Sequence, residues 1–206
     1  EVDVANGGVP YSGPLAVQLL ASADDSFGND TALGTVTLNM TGAATHTLQG
    51  AFTLSSGTLT PGSYTPICVL DPNNAVTELA ENNNIVIGGS TFGSGPDYTV
   101  TSVSVPGQVQ PGSSVNITTT IANNAVPASG NVPYRLFASL DDTLDAQDAL
   151  LGSFSATFAG EASVADTEAV PFASSLPGGR YLVIAVVDPG SQIPEVDEMN
   201  NQGVSS

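Results

Sequence analysis

The chain has 206 residues, 20 of them acidic against two arginines, Arg135 and Arg180, and no lysine, for a formal charge of −18 at neutral pH. That charge excludes binding to nucleic-acid phosphates by counterion release and repels anionic lipid surfaces. The length suffices for two domains that each bury a core, and no apolar stretch reaches the length of a membrane span.

The segment from Ala5 to Asn84 returns, nearly without gaps, from Ala122 to Asn201. Asn6 to Pro10 falls on Asn123 to Pro127, and Ala21-Ser22-Ala23-Asp24-Asp25 falls on Ala138-Ser139-Leu140-Asp141-Asp142. A period of this length is that of tandem domains rather than of a solenoid repeat. The expected division is residues 1–88, a linker at 89–96, and residues 97–206.

Read in chain order, the first repeat starts out of phase. Glu1 aligns with Thr118, so within these residues one strand and half of another are missing. An unpaired edge of this kind invites another strand, supplied by preceding residues of the same polypeptide or by a neighbouring copy through strand donation. Val17, Leu19 and Ala21 alternate to one inward face and leave Gln18 in water. The loop that follows carries Asp24, Asp25, Asn29 and Asp30. Next comes Leu59-Thr60-Pro61-Gly62-Ser63-Tyr64, in which Tyr64 opens a strand after a tight turn and reads as a tyrosine corner. Cys68, the single cysteine, is expected as a small buried apolar side chain on the face of Tyr64 and has no partner for an internal disulfide. Asp71, Glu78, Glu81, Asn83 and Asn84 then crowd the connection to the last strand.

The second repeat supplies seven strands, at roughly 97–105, 113–123, 131–140, 149–157, 163–173, 180–188 and 200–206, separated by Gly, Pro, Asn and Asp clusters. Val115, Ile117, Thr119 and Ile121 share one face; Tyr134, Leu136 and Ala138 share another, with Arg135 outward. Asp141, Asp142, Asp145 and Asp148 repeat the first acidic loop, Tyr181 repeats Tyr64, and Asp188, Glu195, Glu198, Asn200 and Asn201 repeat the second. The fold class is therefore all-β: two tandem immunoglobulin-like sandwiches, the first lacking its N-terminal strand or strands within this chain.

Pro96-Asp97-Tyr98-Thr99-Val100, Pro111-Gly112, Ile121-Ala122-Asn123-Asn124 and the ending Val187-Asp188-Pro189 followed by Glu195-Val196-Asp197-Glu198-Met199-Asn200-Asn201 resemble the bacterial and archaeal CARDB domain, the cell-adhesion-related domain. Leu70-Asp71-Pro72 through Asn84 repeats that ending. The resemblance implies immunoglobulin-like sandwiches in tandem within secreted or surface-attached proteins, and it implies no catalytic site.

The residues agree on the last point. The only histidine, His46, aligns with Val164, and no Gly-x-Ser-x-Gly elbow, metal-spaced Cys or His pair, or phosphate loop occurs. The chain is therefore expected not to be an enzyme. The acidic loops are a different matter, because carboxylates and amide oxygens are the hard ligands that calcium requires. Asp24, Asp25, Asn29, Asp30, Asp141, Asp142, Asp145 and Asp148 are the calcium candidates; otherwise no cofactor is expected. Asp71, Glu78, Glu81, Asn83, Asn84, Asp188, Glu195, Glu198, Asn200 and Asn201 are read with Tyr64 and Tyr181 as structural, capping the final hairpin. The leading functional expectation is an extracellular structural or adhesive array, a stalk, fibre or filament whose partners are neighbouring copies or adjacent repeats. The alternative is a glycan- or protein-binding accessory module of a secreted hydrolase.

Overall fold

Strict alternation of apolar and polar side chains builds extended strands in both repeats. In the second, Ile117, Thr119, Ile121 and Asn123 are buried on one side of a strand that keeps Asn116 in water. The computed structural model describes residues 1–49, 54 and 57–206, and among these the protein is all-β, with no helix long and apolar enough to cross a membrane. The chain divides into two compact units, Glu1–Phe92 and Gly93–Ser206.

Unit 1 contains β1 (Val2–Ala5), β2 (Gly13–Ser22), β3 (Thr31–Met40), β4 (Thr45–Leu48), β5 (Gly62–Leu70) and β6 (Ile85–Ile87), with β7 (Phe92–Ser94) at the boundary. Unit 2 contains β8 (Tyr98–Ser104), β9 (Ser114–Asn123), β10 (Ser129–Ser139), β11 (Ala149–Ala159), β12 (Ser163–Pro171), β13 (Leu182–Val187) and β14 (Gln202–Val204). The strands of unit 2 fall where the turn spacing predicts them, within a few residues at each end.

In unit 2 one sheet runs β12-β9-β8 and the other β11-β10-β13-β14. Side chains from both merge into a single core, Ile117, Ile121 and Val170 from the first meeting Tyr134, Leu136, Val183 and Val187 from the second. This is the immunoglobulin-like sandwich. Unit 1 repeats the second sheet as β3-β2-β5-β6, and among the described residues its other sheet is the pair β1-β4. Ala5 opposite Thr45 and Val4 opposite His46 reproduce the pairing of Ala122 with Ser163 and Ile121 with Val164. β1 is thus the end of β9, and β8 has no counterpart among the described residues.

One irregularity is shared. The ladder shifts between Leu19 and Leu20 and again between Leu136 and Phe137, each time leaving an extra leucine, Leu33 or Leu151, on the neighbouring strand. The pattern of apolar residues alone does not locate such a bulge, because the extra residue turns inward and the strand still reads as apolar. The short covering sheet also changes burial in unit 1. Val17 and Ala21 are buried as expected, while Leu19 and Cys68 are only half-buried, although Ala185, which Cys68 matches, is fully enclosed. Burial still pushes the Cys68 thiol above its usual range, which suits a packing role.

Candidate metal centre

β13 ends at Asp188, whose φ of 38° is a left-handed conformation that short polar side chains tolerate. Its N–H donates to the Pro133 carbonyl at 2.8 Å, and its own carbonyl accepts the Ser191 N–H at 3.0 Å, closing a turn over Pro189 and Gly190. The side chain then receives the Ile193 N–H on Oδ2 at 2.7 Å and folds the loop inward. Asp188 is 3% exposed, and its Oδ1 is buried with no hydrogen-bond partner.

Glu195, at 4% exposure, meets it from the far side of the loop. One carboxylate oxygen accepts the Tyr98 N–H and the other accepts the Asn201 amide at 3.2 Å. Glu198 in turn accepts the Glu195 N–H at 3.0 Å. Carboxylate oxygens of Asp188, Glu195 and Glu198 come within 4.8 Å of one another. Asp188, Glu198 and Asn201 also border a cavity of about 380 Å³, with Arg135 and Leu144 on its wall.

Three carboxylates this close repel. Burial, then the charges of Glu198 and Asp188, raise the Glu195 carboxyl to about 7, against the opposing pull of the Tyr98 N–H and the Asn201 amide. The orphaned Oδ1 of Asp188 fits a missing positive partner, since a buried carboxylate oxygen without one costs free energy. Hard oxygen donors in this arrangement match a divalent cation such as calcium, which when bound would offset two of the three negative charges. Asp188, Glu195 and Glu198 would hold it.

Unit 1 builds the same loop and closes it differently. Asp71, also at positive φ, accepts the Val76 N–H on Oδ2 at 2.7 Å and the Ala75 N–H on Oδ1 at 3.0 Å, so both oxygens are satisfied by backbone. Glu81 accepts the Glu78 N–H at 2.8 Å, and the Asn84 amide reaches Glu78 at 3.5 Å. Asn83 stands exposed beside them. Glu78 is half-buried, its carboxyl raised by burial and by Glu81. Unit 1 thus keeps the hairpin caps and leaves no aspartate oxygen orphaned.

The other acidic loops are spent on local turns. Asp24 accepts the Ser26 N–H at 3.0 Å and the Ser22 hydroxyl at 3.1 Å; Asp25 accepts the Thr65 hydroxyl; Asp30 accepts the Gly28 N–H at 2.9 Å; Asn29 is exposed. In unit 2 Asp141 takes the Thr143 N–H at 2.9 Å, Asp142 faces the Thr143 hydroxyl at 3.5 Å, Asp145 takes the Gln147 N–H at 2.7 Å and Asp148 the Asp145 N–H at 2.9 Å. Asp24, Asp141 and Asp145 make the Asx turns that such residues favour, Asp30 and Asp148 accept from N–H groups that precede them, and Asp25 ties its loop to Thr65 of β5. Among the described residues, three or more metal-ligating side chains converge only at Asp188, Glu195 and Glu198. Sequence spacing offered calcium-type donors in both loops of each repeat, favoured the earlier ones as metal candidates and read this triad first as a hairpin cap. The repeated Asp-Pro to Glu-x-x-Glu-x-Asn-Asn pattern was the available signal, but it does not say which copy frees an oxygen.

Both corner tyrosines are anchored. Tyr64 returns its hydroxyl to the Thr60 carbonyl at 2.9 Å and Tyr181 to the Pro177 carbonyl at 3.0 Å.

With this geometry in place, comparison with known proteins is informative: the CARDB family model matches residues 95–204. The chain belongs to the CARDB family. CARDB is a non-catalytic domain family related to adhesion. A similar solved structure is the crystal structure of the CARDB domain of a Pyrococcus furiosus protein in complex with di-metal ions, 17% identical, covering 54% of this chain and 90% of that one, with a TM-score of 0.42. No curated protein matches the sequence.

Proposed function

We propose that the chain is a non-enzymatic extracellular module, a repeat unit of a surface stalk, fibre or filament, in which the last hairpin of unit 2 is fastened by a divalent cation. The observation that carries the cation is the buried, unpartnered Oδ1 of Asp188 next to Glu195 and Glu198. The tandem sandwiches and the family's adhesion-related character support the structural role. Calcium is the ion assigned, because three carboxylates and neighbouring amide oxygens are hard donors in a flexible loop. A bound ion would tie Asp188, at the end of β13, to Glu195 and Glu198, ahead of β14, and so lock the edge of the larger sheet.

Isothermal titration of chelator-treated protein with calcium tests this directly. Binding is expected, with a higher unfolding temperature, because an ion held only by the native state adds stability: about 2.7 kcal/mol at a hundredfold excess over its Kd. Asp188→Asn and Glu198→Gln should each abolish the effect, and Asp24→Asn with Asp141→Asn should leave it intact. Failure to bind at millimolar calcium, or binding that survives Asp188→Asn, removes the cation. Electron microscopy of the full-length parent addresses the array: fibres or ordered multimers are expected, and a strict monomer counts against it.

A further inference from the structure

The outer face of the larger sheet in unit 2 carries unpaired charge of both signs around one cavity. Arg135 of β10 stands opposite Val186 of β13, and Asp188 lies two residues beyond Val186 on the same face. Arg135 is exposed, and among the described residues its guanidinium makes no hydrogen bond or ion pair, in a chain with 20 carboxylates. Two buried oxygens near it are also unpartnered: Oδ1 of Asp188 and Oδ1 of Asn201, whose amide is turned to Glu195. Arg135, Asp188 and Asn201 border the same cavity of about 380 Å³, and Phe137, Leu144 and Val186 give it an apolar wall.

The chain alone would not complete the shell of a cation held here. Calcium takes about six to eight oxygen ligands, and Asp188, Glu195, Glu198 and Asn201 supply only part of that number. What is left falls to water or to a group that enters the cavity. A cation short of ligands, an unpaired guanidinium and an apolar wall together recognise a carboxylate with an apolar neighbour.

The loop after β10 presents such a pair. Asp141, Asp145 and Asp148 each accept a backbone N–H, whereas Asp142 meets only the Thr143 hydroxyl, at 3.5 Å. Leu140, two residues before it, is 73% exposed. The Asp141 N–H on Ser139 Oγ at 3.2 Å and the Thr143 N–H on Asp141 at 2.9 Å fix the bend that holds both in solvent. Neither borders the cavity of its own copy, which this loop lines only with Leu144. Unit 1 lacks both halves. Gln18 takes the place of Arg135 and Asp71 has no free oxygen, while Ala23 takes the place of Leu140 and Asp25 is tied to Thr65. Acceptor and donor thus occur together in one unit and are missing together from the other.

We propose, building on the cation reading at Asp188, Glu195 and Glu198, that this cavity is the docking site for the bend at residues 140–142 of a second copy of the chain. The Asp142 carboxylate pairs with Arg135 and completes the shell of the cation, and Leu140 packs on Phe137, Leu144 and Val186. The cation offsets at the contact the repulsion between two chains that each carry a charge of −18.

Sedimentation velocity of the full chain, with calcium titration of dilute protein in parallel, tests the docking. In saturating calcium the chain should self-associate, and chelator should return it to monomer. Leu140→Ser should bind calcium as the parent does and associate about tenfold more weakly. Arg135→Gln removes a positive charge beside the cation, so it should hold calcium at least as well and still lose association. An equimolar mixture of the two variants should associate more strongly than either alone, because each supplies the half that the other lacks. Association equal in calcium and chelator, association untouched by both substitutions, or a mixture no stronger than its components overturns the docking and leaves the cation in place. If the chain stays monomeric in saturating calcium while a peptide of residues 138–144 binds it, the cavity takes a carboxylate from another source and the second copy is overturned as its occupant. A monomer that binds neither itself nor the peptide overturns the docking outright, and a chain that binds no calcium overturns both readings.

Discussion

Unit 2 closes a three-stranded sheet over a four-stranded one and packs a continuous core, whereas among the described residues unit 1 sets a two-stranded pair against an equivalent sheet and its buried apolar residues fall into three clusters. The larger sheets hardly differ: the same register, the same bulge, and matching loops after β5 and β13. What differs is the cover. In unit 2, β8 and β9 carry Tyr98, Val103, Ile117 and Ile121 into that continuous core.

Emptying the Tyr98 slot of unit 2 should bring it closest to unit 1. Tyr98→Ala removes a fully buried ring from the centre of the unit 2 core, and a large-to-small change at such a site costs about 4 kcal/mol. Urea unfolding with hydrogen exchange read on β9 and β10 should report that loss, with protection in β2 and β5 unchanged. A loss below about 1 kcal/mol would mean that β8 is dispensable and that the two units differ for another reason.

The acidic hairpins sharpen the comparison through pH. In chelator, Glu195 titrates near 7 in the folded state against about 4.5 for an ordinary carboxyl, so the native protein holds that proton more tightly than the unfolded chain. Its contribution is fully present below about pH 4.5 and is lost as pH rises through about 7, on the order of 2–3 kcal/mol in all. Glu78 is shifted the same way but is half-buried, so unit 1 should show a shallower slope. Denaturant unfolding across this range, with Glu195→Gln as control, checks both. A flat profile for unit 2, or a slope that survives Glu195→Gln, would detach the charge cluster from stability. Calcium should abolish the slope where it binds, because a cation favours the ionised carboxylate.

Much of this was legible in the chain. The strands of the second repeat follow from period-two alternation between turn residues, and the phase of the first repeat follows from aligning Glu1 with Thr118. The bulges at Leu33 and Leu151 were not legible, because an inserted apolar residue leaves a strand looking like a strand. Nor was the difference between acidic loops. Asp24 and Asp141 find backbone N–H partners within two residues, so their carboxylates are consumed by local turns. Asp188 and Glu195 converge only after a residue at positive φ reverses the chain, and the freedom of one oxygen depends on whether a loop N–H reaches it, as the Ala75 N–H reaches Asp71. Such a difference of a single hydrogen bond leaves no trace in spacing. Cys68 erred in the other direction: its alignment with Ala185 was sound, but full burial also required a cover that unit 1 does not have among its described residues.

The smallest expected effect separates the two corners. Tyr64 is buried, packs on Phe92 with centroids 6.0 Å apart, and its hydroxyl lies 2.9 Å from both the carbonyl and the hydroxyl of Thr60. Tyr181 is half-buried and its hydroxyl has the Pro177 carbonyl alone. Removing the hydroxyl breaks two part-buried contacts to Thr60 in the first case and a single exposed one in the second. Tyr64→Phe should therefore cost about 1.5 kcal/mol and Tyr181→Phe about 1 kcal/mol or less. Thermal unfolding of the two variants, each referred to its own unit by hydrogen exchange, decides the order. If Tyr181→Phe is the more damaging, the corner in unit 2 carries strain or packing beyond its hydrogen bond, and the better-covered unit depends more on its corner than the open one does.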